Sequence, residues 1–181
     1  TNSKSRGVSG LFTPKFDPFY VGVICHEMGH QFSATHSFNK CSNENPGTGW
    51  EPGGGSTIMS YSGACGSNSI KSNADDYYHG GSLGQMKNFI RTGSGAQCGQ
   101  KIPTSNHQPL VNFTYKNGFY IPISTPFKLT ASGTDEEGNS LTFCWEGMDT
   151  GPITDAGDPV QTSPLFRTFP PVADSMRVFP R

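Results

Sequence analysis

Apolar residues recur at helical spacing near the start of the chain. Asp17-Pro18 is a favourable helix start, because a capping side chain is followed by proline at the first helical position. From there to about Ser33 the pattern predicts one helix, whose apolar face consists of Val21, Ile24, Cys25, Met28 and Phe32. His26 and His30 lie on the opposite face. We therefore expect one face of this helix to pack and the other to carry a site.

Two more elements are predicted in the same part of the chain. Gly7–Phe12 has the pattern of a short strand, for which a flexible lead-in is the alternative interpretation. A second helix is expected over Leu83–Thr92. Ser82 and Gln85 would form its capping box, and Gly93 would end it.

The second half of the chain shows the alternation typical of strands. Its period-two runs are Leu110–Tyr115, Phe119–Ile123, Phe127–Ala131 and Leu141–Trp145. They predict an all-β module, most simply a small sandwich, and an incomplete one, because a full sandwich has about seven strands. The predicted domains are residues 1–99, a polar linker at 100–109 and the β module at 110–181. The expected fold class is α+β.

Composition and charge narrow the range of partners. Hydrophobic residues make up 33% of the chain, which also contains 23 Gly and 14 Pro, so loops should outweigh regular elements. The formal net charge is -1 and the basic residues are scattered, which argues against binding to nucleic acid or to an anionic membrane. No apolar run approaches the roughly 20 residues of a membrane-spanning helix, so we expect no membrane insertion.

The cysteines indicate the compartment. Five cysteines in a loop-rich chain favour an oxidising environment, which predicts a secreted protein. A cytosolic protein would use them as metal ligands, but the chain has no Cys-x-x-Cys spacing. The chain begins at Thr1 without a leader sequence, so we expect either that a signal peptide has been removed or that the sequence lies within a longer protein.

The run from His26 to His30, with Glu27 second, carries the strongest chemical signal. Two histidines four residues apart on one helix present their imidazoles side by side, which suits two ligands of one tetrahedral Zn²⁺. His36 would lie on the wrong side of a continuing helix, so the chain must turn back near Ser33 to bring in a third ligand. Three ligands leave an open position, as in catalytic zinc sites, and Glu27 can act as general base for an attacking water. The alternative is surface histidines that recur by chance, although three of the chain's five histidines fall in this motif.

These residues resemble the metzincin clan, whose pattern is His-Glu-x-x-His-x-x-Gly-x-x-His followed by a methionine turn. Ser33 stands where the clan usually has glycine, and serine can adopt the left-handed bend there at a cost of about 1 kcal/mol. Ser56–Tyr61 resembles the methionine turn, in which Met59 would form an apolar floor beneath the metal and not a ligand. An ordinary core turn is the alternative for this segment.

More closely, the stretch from Gly7 to about Gly99 resembles the reprolysin-like secreted peptidases of Bacteroidetes-type bacteria. The shared phrases are His26–Phe38, Glu51–Tyr61 and Asp75–His79. Thr134–Trp145 resembles the cadherin- or fibronectin-like module that often follows in such proteins. The resemblance implies the C-terminal part of a metzincin catalytic domain, with zinc helix, methionine turn and C-terminal helix. It also implies a Zn²⁺-dependent endopeptidase that acts on proteins or peptides.

The resemblance implies a larger N-terminal subdomain ahead of the zinc helix. Only 25 residues precede His26, so we expect most of that subdomain to be missing from this chain. Gly7–Phe12 would then be its last edge strand, along which an extended substrate pairs. The competing hypothesis is a catalytically inert fragment that acts as a cell-surface or matrix binding module.

Tyr61 lies two residues after Met59. In the astacin-like and serralysin-like branches, a tyrosine at this place is a fifth metal ligand that swings to stabilise the oxyanion, which implies a catalytic role for Tyr61. The reprolysin-like branch usually lacks it, and a buried tyrosine with a satisfied hydroxyl is the alternative.

Two disulfide pairings are candidates, and the first of them is favoured. Cys41 follows the third histidine and Cys65 follows the methionine turn, so their pairing would staple the loop of the site. Cys98 and Cys144 are the second candidate pair, which would tie the two domains together. Cys25 is then left as a buried apolar thiol.

Two acidic segments are candidates for Ca²⁺. Asp135–Asn139 lacks the full alternating spacing of a calcium loop, and a solvated turn is the alternative. Asp75-Asp76 is the other candidate, with the run into the second helix as its alternative. The sequence predicts neither the oligomeric state nor the peptide specificity.

Overall fold

The structure, a computed structural model, describes residues 8–41, 47–114, 118 and 120–180. The chain divides into two compact units. The first unit consists of Thr1–Gln100 together with Glu146–Pro170, and the latter is called the return segment below. The second unit consists of Lys101–Trp145 and Pro171–Arg181.

The predicted first helix is present as three consecutive helical pieces. They are α1 (Phe16–Phe19), a π-helical segment (Tyr20–Cys25) and α2 (His26–Gln31). The N-cap is Lys15, so Asp17 lies inside the first turn, where its negative charge still favours the helix start. The predicted apolar face is wrong at Met28 and Phe32, which are 51% and 43% exposed. A π-helical turn holds more residues than an α-helical turn, so a face projected at constant α-helical spacing drifts along this stretch.

The end of α2 has the bend that the third histidine requires. Ser33 has φ of +71°, as expected for the position where the family pattern has glycine. The amide of Ser33 donates to the His30 carbonyl at 2.9 Å, and the amide of Ala34 donates to the Gly29 carbonyl at 3.0 Å. These two bonds with a left-handed residue form a Schellman motif, which ends the helix and reverses the chain.

The other two predictions in the first unit have different outcomes. Residues 8–12 form no strand, so that prediction is wrong for the part that is described, and Gly7 lies outside the described residues. The second helix is confirmed as α3 (Gly80–Arg91), three residues earlier than expected. Its cap is His79, whose Nδ1 accepts from the Gly81 amide at 3.1 Å, so the capping box at Ser82 is wrong. Short 3₁₀ turns lie at Gly66–Asn68 and Ser94–Gln97.

The interior of the first unit is small and largely polar. Its buried apolar cluster contains Ala34, Ile58 and Met59, against which half-buried side chains pack (Val21, Cys25, Tyr78 and Met86). Every residue from 51 to 60 is buried, although this segment contains only two large apolar side chains. Buried polar groups must find hydrogen-bond partners, so this interior depends on hydrogen bonding as well as apolar burial.

The return segment is tied to the first unit by two asparagine side chains. The Asn39 amide group donates to the Pro152 carbonyl at 3.2 Å and accepts from the Thr154 amide at 2.9 Å. Asn68 accepts from the Ala156 amide at 2.9 Å through its side-chain oxygen. The two asparagine side chains thus satisfy three backbone groups of the return segment.

Further along the return segment, the Arg167 guanidinium forms an ion pair with Asp75 at 3.2 Å. The Tyr77 hydroxyl donates to Thr168 Oγ1 at 3.0 Å. The predicted division assigned all of residues 110–181 to one module, whereas the structure places the return segment in the first unit. These long-range polar contacts leave no trace in local sequence periodicity. The domain boundaries themselves stay a prediction.

The described part of the second unit contains two small antiparallel sheets. Strand β1 (Leu110–Asn112) pairs with β3 (Ser132–Thr134), and β2 (Phe127–Thr130) pairs with β4 (Met176–Phe179). The Phe127 and Phe179 rings stack at 5.1 Å in the second sheet.

The predicted strands are only partly present. Within the predicted run at Leu110–Tyr115, the strand ends at Asn112, and Tyr115 lies outside the described residues. The run at Leu141–Trp145 is reduced to a bridge between Phe143 and Val172. Residues 120–123 form no strand, and Phe119 lies outside the described residues. Helices together with antiparallel strands confirm the α+β class, while the sandwich stays a prediction. In the described ranges, no helix combines the length and apolar character needed to cross a membrane.

Candidate metal centre

Three histidines of the first unit converge on one point. His26 and His30 lie one turn apart on α2, and the reversal after Ser33 brings His36 back beside them. The ring centroids are 4.8 Å apart for His26 and His30, 4.9 Å for His30 and His36, and 5.2 Å for His26 and His36. One ligand atom from each ring lies within 4.8 Å of the other two. The fold therefore brings together the three histidines that the sequence spacing predicted to converge.

Backbone carbonyls orient two of the rings. His26 Nδ1 lies 2.7 Å from the Ile58 carbonyl oxygen, and His30 Nδ1 lies 2.8 Å from the Ala34 carbonyl oxygen. A carbonyl only accepts, so in each ring Nδ1 carries the proton and Nε2 keeps its lone pair. This arrangement fixes the tautomer that a metal ligand needs.

The position of His36 is set through its backbone neighbours. The Thr48 hydroxyl donates to the His36 carbonyl at 2.8 Å. Thr35 is bonded twice to Gln85 of α3, through the Thr35 amide at 3.0 Å and the Thr35 hydroxyl at 2.8 Å. Ser37 donates its amide to the Met59 carbonyl at 3.0 Å. The chain is therefore held on both sides of the third histidine.

The protonation of the rings suits metal binding. Burial lowers the pKa of His26, partly opposed by its hydrogen bond to Ile58. Burial also lowers the pKa of His36 to about 4, with smaller contributions from the other two histidines. Both shifts favour the neutral imidazole, which is the form that binds a metal ion.

The distances fit a tetrahedral zinc site. Two imidazole nitrogens bound to one tetrahedral Zn²⁺ at 2.0–2.1 Å stand about 3.3 Å apart. His30 Nε2 and His36 Nε2 are separated by 3.2 Å. The three histidines thus form a donor set of the right kind and spacing for a site that keeps a fourth position open.

Met59 lies against the histidine helix. It is fully buried, and a Cβ on Gly29 would come within 2.3 Å of its sulfur. Glycine between the two helical histidines therefore allows Met59 to approach the backbone of α2 closely. Ile58, its neighbour, supplies the carbonyl that orients His26. The segment of Ile58 and Met59 therefore acts as an apolar support for α2.

Glu27 and Tyr61 line the same cleft as the three histidines. The cleft has a volume of about 510 Å³, and its other walls include Val23, Ser62 and Asn73. Glu27 is half-buried on α2 between the two helical ligands. The Tyr61 ring lies 4.5 Å from the His36 ring by centroid. The predicted base and the predicted tyrosine therefore both border the cleft that contains the three histidines.

The disulfide that joins Cys41 to Cys65 is present, as predicted. It links the segment after the third histidine to the segment after Met59. The second expected pair stays a prediction, since Cys98 belongs to the first unit and Cys144 to the second. Cys25, predicted to be a buried apolar thiol, is half-buried and packs against the apolar cluster.

A second group of potential ligands lies in the second unit. His107 Nδ1 is 2.5 Å from Glu137 and 3.5 Å from Glu136, and all three residues are exposed. Asp135 accepts from the amides of Glu137 and Asn139 at 3.1 and 3.0 Å, as a side chain that stabilises a turn does. These contacts favour the solvated turn and give no support to the calcium interpretation.

Glu51 is absent from the predicted site, yet its carboxylate is buried beside it. The side chain accepts hydrogen bonds from the segments that precede Met59 and follow His36. Gln85 and Gly29 are further structural residues of the site that the spacing of histidines does not identify. In the sequence, a single glutamate in a Gly-rich polar loop looks like a solvated side chain, and only the fold shows its surroundings.

Comparison with known proteins agrees with the site. Residues 1–89 match the family model described as "Metallo-peptidase family M12B Reprolysin-like", which covers 89 of the 181 residues. The matched part contains the three histidines, Glu27, Met59 and Tyr61, and it ends within α3. No curated protein and no solved structure matches the chain significantly. The match supports a metallopeptidase, which is a hydrolase of protein or peptide substrates.

Proposed function

We propose that the chain is a zinc-dependent endopeptidase whose metal is held by His26, His30 and His36. The observation that carries the proposal is the convergence of three imidazoles, two of them with Nδ1 satisfied by backbone carbonyls. The similarity of residues 1–89 to metallopeptidases supports it further. A bound zinc ion would supply a Lewis acid that polarises the scissile carbonyl and makes water nucleophilic near neutral pH.

Glu27 is the proposed general base. Its carboxylate lines the cleft between the helical ligands, so it can accept a proton from an attacking water and deliver it to the leaving amine nitrogen. The same side chain serves both transfers, because the two steps occur at one face of the peptide bond. The carboxylate is not needed to hold the metal, since three histidines already provide the ligand set.

Tyr61 is proposed to assist at the carbonyl oxygen of the substrate. Its ring packs against the rings of His36 and Phe38, at 4.5 and 4.8 Å by centroid, and it borders the cleft. A phenol hydroxyl near the scissile bond would donate to the oxygen on which negative charge develops. Met59 is proposed as the methionine of a metzincin methionine turn, on the strength of its burial against Gly29.

Three broader features are also proposals. Export is supported by the disulfide between Cys41 and Cys65, because such bonds persist in oxidising compartments. Membership of the bacterial secreted reprolysin-like group rests on the sequence phrases that surround the histidines. A cadherin- or fibronectin-like identity for the second unit rests on the resemblance of Thr134–Trp145.

The test is Glu27→Gln, which removes the base and leaves the three histidines. We expect a decrease in peptide cleavage of about 10²–10⁴-fold, because that is the typical contribution of general acid–base catalysis. Zinc should remain at one ion per chain, measured by elemental analysis. Glu136→Gln, a carboxylate of the second unit, is the matched control and should cleave like the unchanged chain.

The assay is digestion of a mixed peptide library, with and without a chelator, followed by mass spectrometry. Chelator-sensitive cleavage by the unchanged chain supports the peptidase. Full cleavage by Glu27→Gln would disprove the assigned base. Absence of cleavage at every bond would favour the inert binding module over the enzyme.

A further inference from the structure

We infer that Glu51 is a positioning residue of the metal centre, whose buried carboxylate joins the segment that carries His36 to the turn that carries Met59. This inference rests on the proposed function, because it concerns the same three histidines. It assigns to Glu51 no contact with substrate.

The Glu51 side chain is almost completely enclosed, with 1% of the residue exposed. Among the described residues, no lysine, arginine or histidine forms an ion pair with it. Burying a carboxylate is costly unless hydrogen bonds replace its hydration. A carboxylate in this position is therefore expected to have a dense set of donors around it.

Five hydrogen bonds surround the two carboxylate oxygens. Oε2 accepts from the amides of Ser56 and Thr57 at 2.7 and 3.1 Å, and from the Ser56 hydroxyl at 3.1 Å. Oε1 accepts from the hydroxyls of Ser37 and Thr57 at 2.7 and 2.5 Å. A carboxylate offers about four lone-pair sites, so five donors saturate its two oxygens, and the three donors on Oε2 share its two lone pairs. Bonds to a charged acceptor are also stronger than neutral ones.

The donors come from the two segments whose relative position matters for the metal. Ser37 directly follows His36, while Ser56 and Thr57 directly precede Ile58, whose carbonyl orients His26. The backbone of Glu51 adds to the link, because its amide donates to the Ser37 carbonyl at 2.9 Å. Glu51 therefore connects the third ligand to the support of the first.

Glycine at position 55 leaves room for the Glu51 carboxylate within the loop. Gly55 has φ of +72°, and a Cβ there would lie 3.2 Å from Glu51 Oε1 and 2.6 Å from the Ser60 side chain. A residue with a side chain would be strained in this conformation and would also crowd the acceptor. Glycine at this place keeps the path of the loop tight around Glu51.

The experiment compares Glu51→Gln and Glu51→Ala with the unchanged chain. Glutamine keeps the size of the side chain but exchanges one acceptor oxygen for a donor, and alanine removes all five bonds. Glu146→Gln is the matched control, since Glu146 also accepts a backbone amide, that of Gly80, within the first unit. Each protein is titrated with zinc against a competing chelator, and its Co²⁺ form is recorded by visible absorption.

We expect the zinc affinity of Glu51→Gln to decrease by about 10–100-fold, as for other residues that orient metal ligands. Its Co²⁺ absorption bands should shift, because the third histidine is displaced. In the metal-free protein, the amides of Ser56 and Thr57 should exchange hydrogen faster. Glu146→Gln should leave all three readouts unchanged.

Unchanged zinc affinity and an unchanged Co²⁺ spectrum in Glu51→Gln would overturn the inference. A lower melting temperature with normal metal binding would overturn it as well, because that result describes a stabilising residue only. If Glu51→Ala does not fold by circular dichroism, Glu51→Gln decides alone. No readout uses a substrate, so a chain that binds zinc but cleaves nothing would refute the proposed function and leave the inference on Glu51 standing.

Discussion

Two groups of three potential metal ligands occur among the described residues, one in each unit, and they differ in how they are held. In the first unit, His26 and His30 each have Nδ1 against a backbone carbonyl. In the second unit, the Nδ1 atom of His107 faces the carboxylate of Glu137 directly, with 59% of the histidine side chain exposed. The first group has oriented rings, and the second has the geometry of a surface ion pair.

The difference shows that proximity of ligand types does not by itself make a metal site. A histidine that already pairs with a neighbouring carboxylate has to break that contact before both can bind a metal ion. Burial also separates the groups, because it lowers the pKa of His26 and His36 and keeps them neutral, whereas exposed groups exchange freely with water.

The largest effect is expected from removing one ligand of each group. His36→Ala should weaken zinc binding by more than about 100-fold, which exceeds the usual loss from changing a residue that only orients a ligand. His107→Ala should leave zinc affinity unchanged, because the second group is not a metal site in this account. Isothermal titration with zinc measures both, and equal losses in the two variants would remove the distinction between the groups.

The packing beneath the histidine helix is tested by Gly29→Ala. Its Cβ would overlap the buried Met59 sulfur at 2.3 Å and approach the Tyr78 ring at 3.1 Å. We expect the free energy of unfolding to decrease by about 1–3 kcal/mol, the usual cost of overpacking.

The matched control is Gly84→Ala in α3, where nothing lies within 4 Å of the added Cβ. That change should stabilise the protein by about 0.4–1 kcal/mol, because alanine restricts the unfolded chain. Urea unfolding measures both variants. Equal stabilisation by the two substitutions would show that Met59 does not depend on glycine at position 29.

The smallest effect is expected at the bend that returns His36 to the site. Ser33 has φ of +71°, which costs a residue with a side chain about 1 kcal/mol relative to glycine. Ser33→Gly should therefore stabilise the fold by up to about 1 kcal/mol in thermal unfolding. Ser33→Ala retains the strain and should give no gain, so a gain from alanine would contradict the explanation.

The convergence of the three histidines could be predicted from the sequence because its determinants are local. Spacing along the chain places two histidines four residues apart and requires a reversal near Ser33. It also places a cysteine beside each of the two segments that flank the site. The helices were also predictable, since their apolar positions recur at a constant interval. The predicted apolar face failed at Met28 because the preceding π-helical segment changes that interval.

The rest depends on contacts between distant residues. The role of Glu51 becomes apparent only in the fold, where Ser37 and Thr57 donate hydrogen bonds to its carboxylate. The place of the return segment likewise depends on its hydrogen bonds to Asn39 and Asn68. In the second unit the strands are short and many of their residues are exposed. Because neither face is strongly buried, the alternation of apolar and polar residues predicts these strands poorly. Periodicity reports burial on one face, so it fails where polar side chains make the long-range contacts.

X-ray absorption at the zinc edge of the zinc-loaded chain tests the central claim most directly. We expect three imidazole nitrogens at about 2.0–2.1 Å and one oxygen ligand from water, the pattern of a catalytic site with an open position. A sulfur ligand at about 2.3 Å, or a shell filled by four protein ligands, would contradict it, because neither pattern leaves His26, His30 and His36 as the complete protein ligand set.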